Sequence, residues 1–210
     1  MEIYAHLGLF FLLVLGIVLL PGLDMACVLG TTLAAGRRAG FAAVGGIVAA
    51  GVVHVAVAGT GIAMVLAAAP SLFNGLLLAG ALYVAWIGVA LARHGVALAG
   101  GAEAPAGGAW FRRGALTNLL NPKAYAFMLA VFPQFVRAEL GPVWRQALLL
   151  GAIISLTQAG VYGALVAGAA RARTWAAGRP GALTALGRGV GALLVAAAIA
   201  TLASAWRGGG

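Results

Sequence analysis

Apolar residues run along this chain in stretches too long for the strands or amphipathic helices of a water-soluble domain. A helix needs roughly 20 predominantly apolar residues to cross about 30 Å of hydrocarbon. Six stretches meet that length: residues 3–35, 41–69, 72–92, 114–136, 143–169 and 183–206. The first is interrupted at Pro21 and Gly22, and the fourth at Asn121 and Pro122. The pattern predicts an all-α integral membrane protein of six transmembrane helices. A five-span arrangement, with the first stretch re-entrant or the last unspanned, fits the same pattern and stays open.

The interruptions carry a short internal repeat. Leu19-Leu20-Pro21 returns about one hundred residues later as Leu119-Leu120-Asn121-Pro122, with Arg37 and Arg137 at matching distances beyond the prolines and Gly40 and Gly141 opening the next stretches. Three spans per half is an odd number, so the halves must insert in opposite senses. The expected organisation is a first three-helix repeat (1–92), a flexible linker rich in Gly, Ala and Pro (93–113), and a second, inverted three-helix repeat (114–210). Inverted repeats broken at matching places mark the binding sites of secondary transporters.

Composition supports a membrane protein. The chain of 210 residues is 63% hydrophobic and 8% charged, with a mean hydropathy of +1.06, whereas soluble domains carry about 25% charged residues. The net charge of +9 does not imply nucleic acid, because its arginines lie between apolar runs, as topogenic charge does. Arg37, Arg38, Arg93, Arg112, Arg113, Arg171, Arg173 and Arg179 fall in one set of connections, against Arg137, Arg145 and Arg207 in the other. That asymmetry places both termini outside the cytoplasm. The start lacks the basic region of a cleavable signal, so the first stretch is expected to stay as a span. Cys27 is the single cysteine, which leaves no disulfide framework or paired-cysteine metal site. Glycines inside the spans, such as Gly45, Gly46, Gly51, Gly151 and Gly160, let helices approach closely, either within one subunit or across a homodimer face.

Polar residues at bilayer depth carry the functional signal, because each is costly there unless paired or hydrated. Asp24 follows the first break, Lys123 follows the second, and His54 stands within the second stretch, so all three are expected near the midplane. Asp24 is either a helix cap or a functional carboxylate. Lys123 is either its structural partner or a substrate contact, and His54 either a core histidine or a proton relay of the kind imidazoles support near neutral pH. Breaks at Pro21, Gly22 and Pro122 free backbone groups that survive only where they line a polar cavity. Helix N-termini and Lys123 for a carboxylate, with Asp24 for an ammonium, suit a zwitterionic amino acid. A cation held by Asp24, Asn118 and Asn121 suits the same inventory. No paired carboxylates, HExxH, GxSxG or P-loop occur, so neither an enzyme nor an ATP-driven pump is expected, and no cofactor is implied.

At this point a family becomes recognisable. Pro21-Gly22-Leu23-Asp24-Met25, Gly36-Arg37-Arg38-Ala39-Gly40 and Gly80-Ala81-Leu82-Tyr83 carry the resemblance in the first half. Phe111-Arg112-Arg113-Gly114, Thr117-Asn118-Leu119-Leu120-Asn121-Pro122-Lys123 and Pro133-Gln134-Phe135 carry it in the second. Over essentially its whole length the chain resembles the LysE/RhtB family of bacterial amino-acid exporters. The resemblance implies a multi-pass protein of the bacterial inner membrane that exports amino acids in exchange for protons, with the two breaks framing the path. Two departures stand out: Leu23 replaces a usual second proline, and the fifth stretch offers Ser155, Thr157, Gln158 and Tyr162 where an acidic residue is usual. The second departure favours a neutral substrate such as homoserine, threonine or leucine over a cationic one.

The expected mechanism is alternating access. Asp24 binds the substrate ammonium and a proton in turn, while Lys123, Asn118 and Asn121 orient the substrate, His54 relays protons, and Gln158, Tyr162 and Tyr83 are further candidate lining residues. Two rivals are a metal or inorganic cation exporter of the same superfamily and a membrane-embedded subunit without transport of its own.

Overall fold

The computed structural model of the chain describes residues 2–59 and 107–177, with single positions and short runs among 78–93 and 179–203. Every regular element among the described residues is helical: α1 (Glu2–Leu19), α2 (Leu23–Ala35), α3 (Arg37–Gly59), α4 (Gly107–Leu119), α5 (Pro122–Ala130) and α6 (Val143–Ala176), with 3₁₀ turns at Phe132–Phe135 and Ala138–Leu140. Most of the expected third span, half of the sixth, residues 60–69 of the second and the candidate Tyr83 lie outside the described residues.

Two helices are long and apolar enough to cross a membrane, Arg37–Ala58 and Val143–Ala176, and the pair His6–Leu19 and Leu23–Ala35 makes a third crossing if its 54° bend lies within one span. Side chains such as Leu12, Leu148 and Leu156 stand exposed on these helices, as befits a chain surrounded by hydrocarbon. The helical part of α6 extends well past the expected end at Ala169. At 1.5 Å per residue it is about 51 Å long, more than the hydrocarbon thickness, so its arginine-bearing end projects beyond the apolar layer.

The fourth stretch departs from expectation at both ends. α4 starts at Gly107, so the last part of the supposed linker is helix, and Trp110 and Arg113 stack within it with the guanidinium carbon 5.8 Å from the ring centre. Beyond the break, α5 ends at Ala130 and yields to a 3₁₀ turn around Pro133, whose ring removes the amide that α-helical bonding would need. The stretch is therefore two short helices meeting at the expected break at Asn121 and Pro122, with outer ends that differ from those expected. The turn glycines also differ from the repeat. Positive φ falls at Gly36 (88°) and Gly141 (100°), immediately before α3 and α6, a backbone region that glycine enters without steric cost. Gly40 lies inside α3, where an added Cβ would strike Thr32 and press on Val166.

Glycine contacts lock the helices together. A Cβ at Gly46 would collide with the Phe111 carbonyl of α4, and one at Gly114 with the Ala43 carbonyl of α3. α3 and α4 thus touch backbone to backbone, the close approach that small residues permit in lipid. α6 runs antiparallel to α3, since Val166 meets Gly40 while Val55 meets Gly151. At the far end Phe10 of α1 packs on Phe127, Phe132 and Phe135, with ring centres 5.8, 6.4 and 4.9 Å away. His6 adds a hydrogen bond to the Phe135 carbonyl at 3.2 Å. α1 is in this way held antiparallel to α5. Arg188, helical and exposed, stands inside the expected sixth span, where the charge count assigned no arginine.

The glycine contacts generate a prediction. Gly46→Ala should destabilise the protein by about 2–3 kcal/mol or more, because backbone cannot move aside as a side chain does. Gly160→Ala, with open space around it, should change stability by less than about 1 kcal/mol. Thermal unfolding of the purified variants checks both.

Candidate functional site

The two helix breaks face each other. α1 runs antiparallel to α5, so the end of α1 at Leu19 meets the start of α5 at Pro122, and the start of α2 meets the end of α4. Each break leaves amides or carbonyls without a helical partner, and in hydrocarbon these groups must be satisfied from within the protein.

They are satisfied in part locally and in part from the opposite break. Asn121 caps α5, its Oδ1 accepting from the Lys123 amide at 3.0 Å, a favoured use of Asn at this position. Its Nδ2 donates to Asp24 Oδ2 at 2.9 Å, and Asn118 Nδ2 donates to the same oxygen at 3.0 Å. Lys123 Nζ reaches back across the interface and donates to the carbonyls of Ile17 and Leu20, both at 2.9 Å. The residue following the second break thereby closes the first helix, and the residue following the first break holds the asparagines of the second. Lys123 has no direct hydrogen bond to Asp24; its ammonium serves the carbonyl end of α1, where the helix dipole favours positive charge.

Asp24 is not a helix cap. Gly22 occupies the cap position of α2 without a side-chain bond, and Asp24 sits in the first turn, where the dipole favours a carboxylate. Asp24, Asn118, Asn121 and His54 are all at most 4% exposed. His54 Nε2 lies 3.1 Å from the Asn118 carbonyl, and its ring meets Tyr125 edge-on at 4.6 Å. The structure thus brings Asp24, His54, Asn118, Asn121, Lys123, Gln158 and Tyr162 around one cavity.

The cavity volume is about 40 Å³, room for about two or three waters and too little for a whole amino acid. Its apolar wall, including Val14, Ile17, Phe127 and Met128, was not singled out from sequence, because such residues are indistinguishable there from ordinary span residues. Three buried oxygens at the cavity accept no hydrogen bond: Asp24 Oδ1, Asn118 Oδ1 and Gln158 Oε1. All three are acceptors; the Tyr162 hydroxyl stands beside Asp24 as a neighbouring donor, and the rest of the vacancy has room for a further donor or a cation. Buried polar groups are otherwise almost always paired. Gly51 makes room for Gln158, since a Cβ there would come within 2.8 Å of Oε1. Among the described residues no group of three His, Cys, Asp or Glu is placed to hold a metal ion.

A helical protein with membrane-length apolar helices, two facing helix breaks and a buried polar cavity between them belongs to the class of multi-pass membrane transporters. More particularly, residues 5–204 match the family described as LysE type translocator, and the chain belongs to that family. It is a membrane transporter of amino acids or related compounds. No curated protein and no solved structure matches it.

The crosswise bonding makes Lys123 structurally costly to lose. Lys123→Met should destabilise the protein by about 1–3 kcal/mol, since it strands the part-buried Ile17 carbonyl and the more exposed Leu20 carbonyl, part of which water recovers. Thermal unfolding in detergent measures it.

Proposed function

We propose that the protein exports neutral amino acids from the bacterial cytoplasm across the inner membrane, in exchange for protons, by alternating access around the Asp24 cavity. The observation that carries this reading is the trio of unpaired acceptors, Asp24 Oδ1, Asn118 Oδ1 and Gln158 Oε1, on one buried cavity. An α-ammonium offers three donors to such a trio, and Asp24 supplies its counter-charge. Lys123, beside Gly22 at the start of α2, offers the complementary positive charge to a carboxylate. One negative and one positive group match a zwitterion. Asp24 is the sole carboxylate among the described residues of the cavity, and Gln158 and Tyr162 are uncharged there, which disfavours a second positive charge on the substrate.

The small cavity volume supports an occluded state that must open to admit substrate. The movable wall is the contact between Lys123 and the end of α1: a substrate carboxylate competes with the Ile17 and Leu20 carbonyls for the ammonium. Asp24 holds either the substrate ammonium or a proton, so proton entry from outside displaces substrate outward, with His54 a relay on the same wall. The antiparallel pairing of α1 with α5 and of α2 with α4 supports two inverted three-helix repeats in a six-span protein. A cation exporter would use the same three oxygens and is the reading the test separates.

The test is efflux from bacterial cells that lack their own exporters and are loaded with dipeptides. Wild type should release one class of neutral amino acid faster than empty-vector cells, and Asp24→Asn, at equal expression, should lower that release at least tenfold. Equal release from all three strains would remove amino-acid export, and a metal-sensitive growth defect cured only by wild type would favour the cation reading.

A further inference from the structure

A second recessed site lies at the arginine-bearing end of the helices, well away from the central cavity. Gly36 and Arg37 at the α2–α3 turn and Arg171, Arg173, Thr174 and Trp175 on the last turns of α6 line a cleft of about 740 Å³. The three arginines are exposed and line the same cleft. Arg173 reaches over the turn, where its Nη1 would lie 3.1 Å from a Cβ at Gly36, and Arg37 stands on the same turn. Arg179 stacks on Trp175, with its guanidinium carbon 4.4 Å from the ring centre. No carboxylate lines the cleft among the described residues. Three guanidinium groups around one hollow repel one another unless an anion joins them.

Depth decides what kind of anion. Gln158 shares the central cavity with Asp24 and His54, and transporter cavities at helix breaks lie near the bilayer midplane, so Gln158 serves as the mid-depth reference on α6. From Gln158 to Arg171 and Arg173 the rise is about 20 and 22 Å. The hydrocarbon ends about 15 Å from the centre and the headgroup region about 20–22 Å from it. The guanidinium groups therefore lie at the level of lipid phosphates. Trp175, 63% exposed at the same level, has the amphipathic character of an interfacial anchor. Topogenic charge alone requires arginines on one side of the membrane and does not require them to share one cleft: Arg112 and Arg113 belong to the same set of connections and do not line it.

We propose that this cleft is a binding site for the phosphodiester headgroup of an anionic phospholipid, held by Arg37, Arg171 and Arg173 with Trp175 at the acyl-chain boundary. Arginine forks suit phosphate oxygens, and basic pockets between helices at a membrane surface hold anionic headgroups. The site is independent of what the central cavity carries.

Native mass spectrometry of the whole purified protein, exchanged into phosphatidylglycerol or phosphatidylethanolamine, tests it. Wild type should retain phosphatidylglycerol severalfold more than phosphatidylethanolamine, and retention should fall about fivefold for each arginine removed, in Arg171→Gln/Arg173→Gln and separately in Arg37→Gln. The two variants act from different helices, so one that fails to fold leaves the other as the test, with unfolding in lipid-free zwitterionic detergent as the fold control. Equal retention of the two lipids, or undiminished phosphatidylglycerol on a folded variant, would overturn the proposal. Heat stabilisation by inorganic phosphate equal to that by phosphatidylglycerol would also overturn it, since the ligand would then be a soluble phosphate.

Discussion

A helix broken inside a membrane leaves backbone carbonyls and amides that lipid cannot satisfy, and the rest of this structure follows from how those groups are answered. Uncompensated, each costs several kcal/mol. Here the first break is answered from across the interface, Lys123 taking the carbonyls of Ile17 and Leu20, while the second is answered by Asn121 capping α5 and by His54 at the Asn118 carbonyl, with Asp24 holding the side-chain amides of Asn118 and Asn121. Neither broken pair is well satisfied alone. The facing breaks therefore bind the two halves of the chain together and at the same time gather Asp24, His54, Asn118, Asn121, Lys123, Gln158 and Tyr162 into one place.

That arrangement explains why a transporter can tolerate charge at this depth. Asp24 and Lys123 are structural groups in the observed conformation, yet both keep unused capacity: Asp24 Oδ1 accepts no hydrogen bond, and the Lys123 ammonium holds main-chain oxygens that a carboxylate can replace. In the proposed transport cycle, groups that hold the observed conformation and can also hold substrate give a ligand differential affinity for two conformations, which any ligand-driven shift requires. Around them α3 and α4 touch backbone to backbone through Gly46 and Gly114, and α6 lies along α3, whereas the α1 side of the cavity is held through the Lys123 side chain.

Much of the site was legible in the sequence because charge in an apolar run has few explanations. Asp24, Lys123, Asn118, Asn121 and His54 stood out by chemistry alone, and Gln158 and Tyr162 by their place in a span short of acids; all seven surround the cavity. Pairing was less legible. The sequence suggests an Asp24–Lys123 contact, but the bonds run from Lys123 to main-chain oxygens, which no residue type announces. Helix limits also escaped: Pro133 shortens α5, and α4 reaches back to Gly107 through residues whose Gly-rich surroundings read as linker. Gly36, not Gly40, is the turn before α3 because the left-handed backbone falls there, a distinction that two nearby glycines do not reveal.

The central claim is that Asp24 and Asn121 join the two breaks directly. A double-mutant cycle with Asp24→Ala, Asn121→Ala and the double variant, read by thermal unfolding, isolates that bond from the capping role of Asn121. The account predicts a coupling of about 1–3 kcal/mol between the two sites. Effects that add to within about 0.5 kcal/mol would mean the breaks are satisfied independently, and would contradict it.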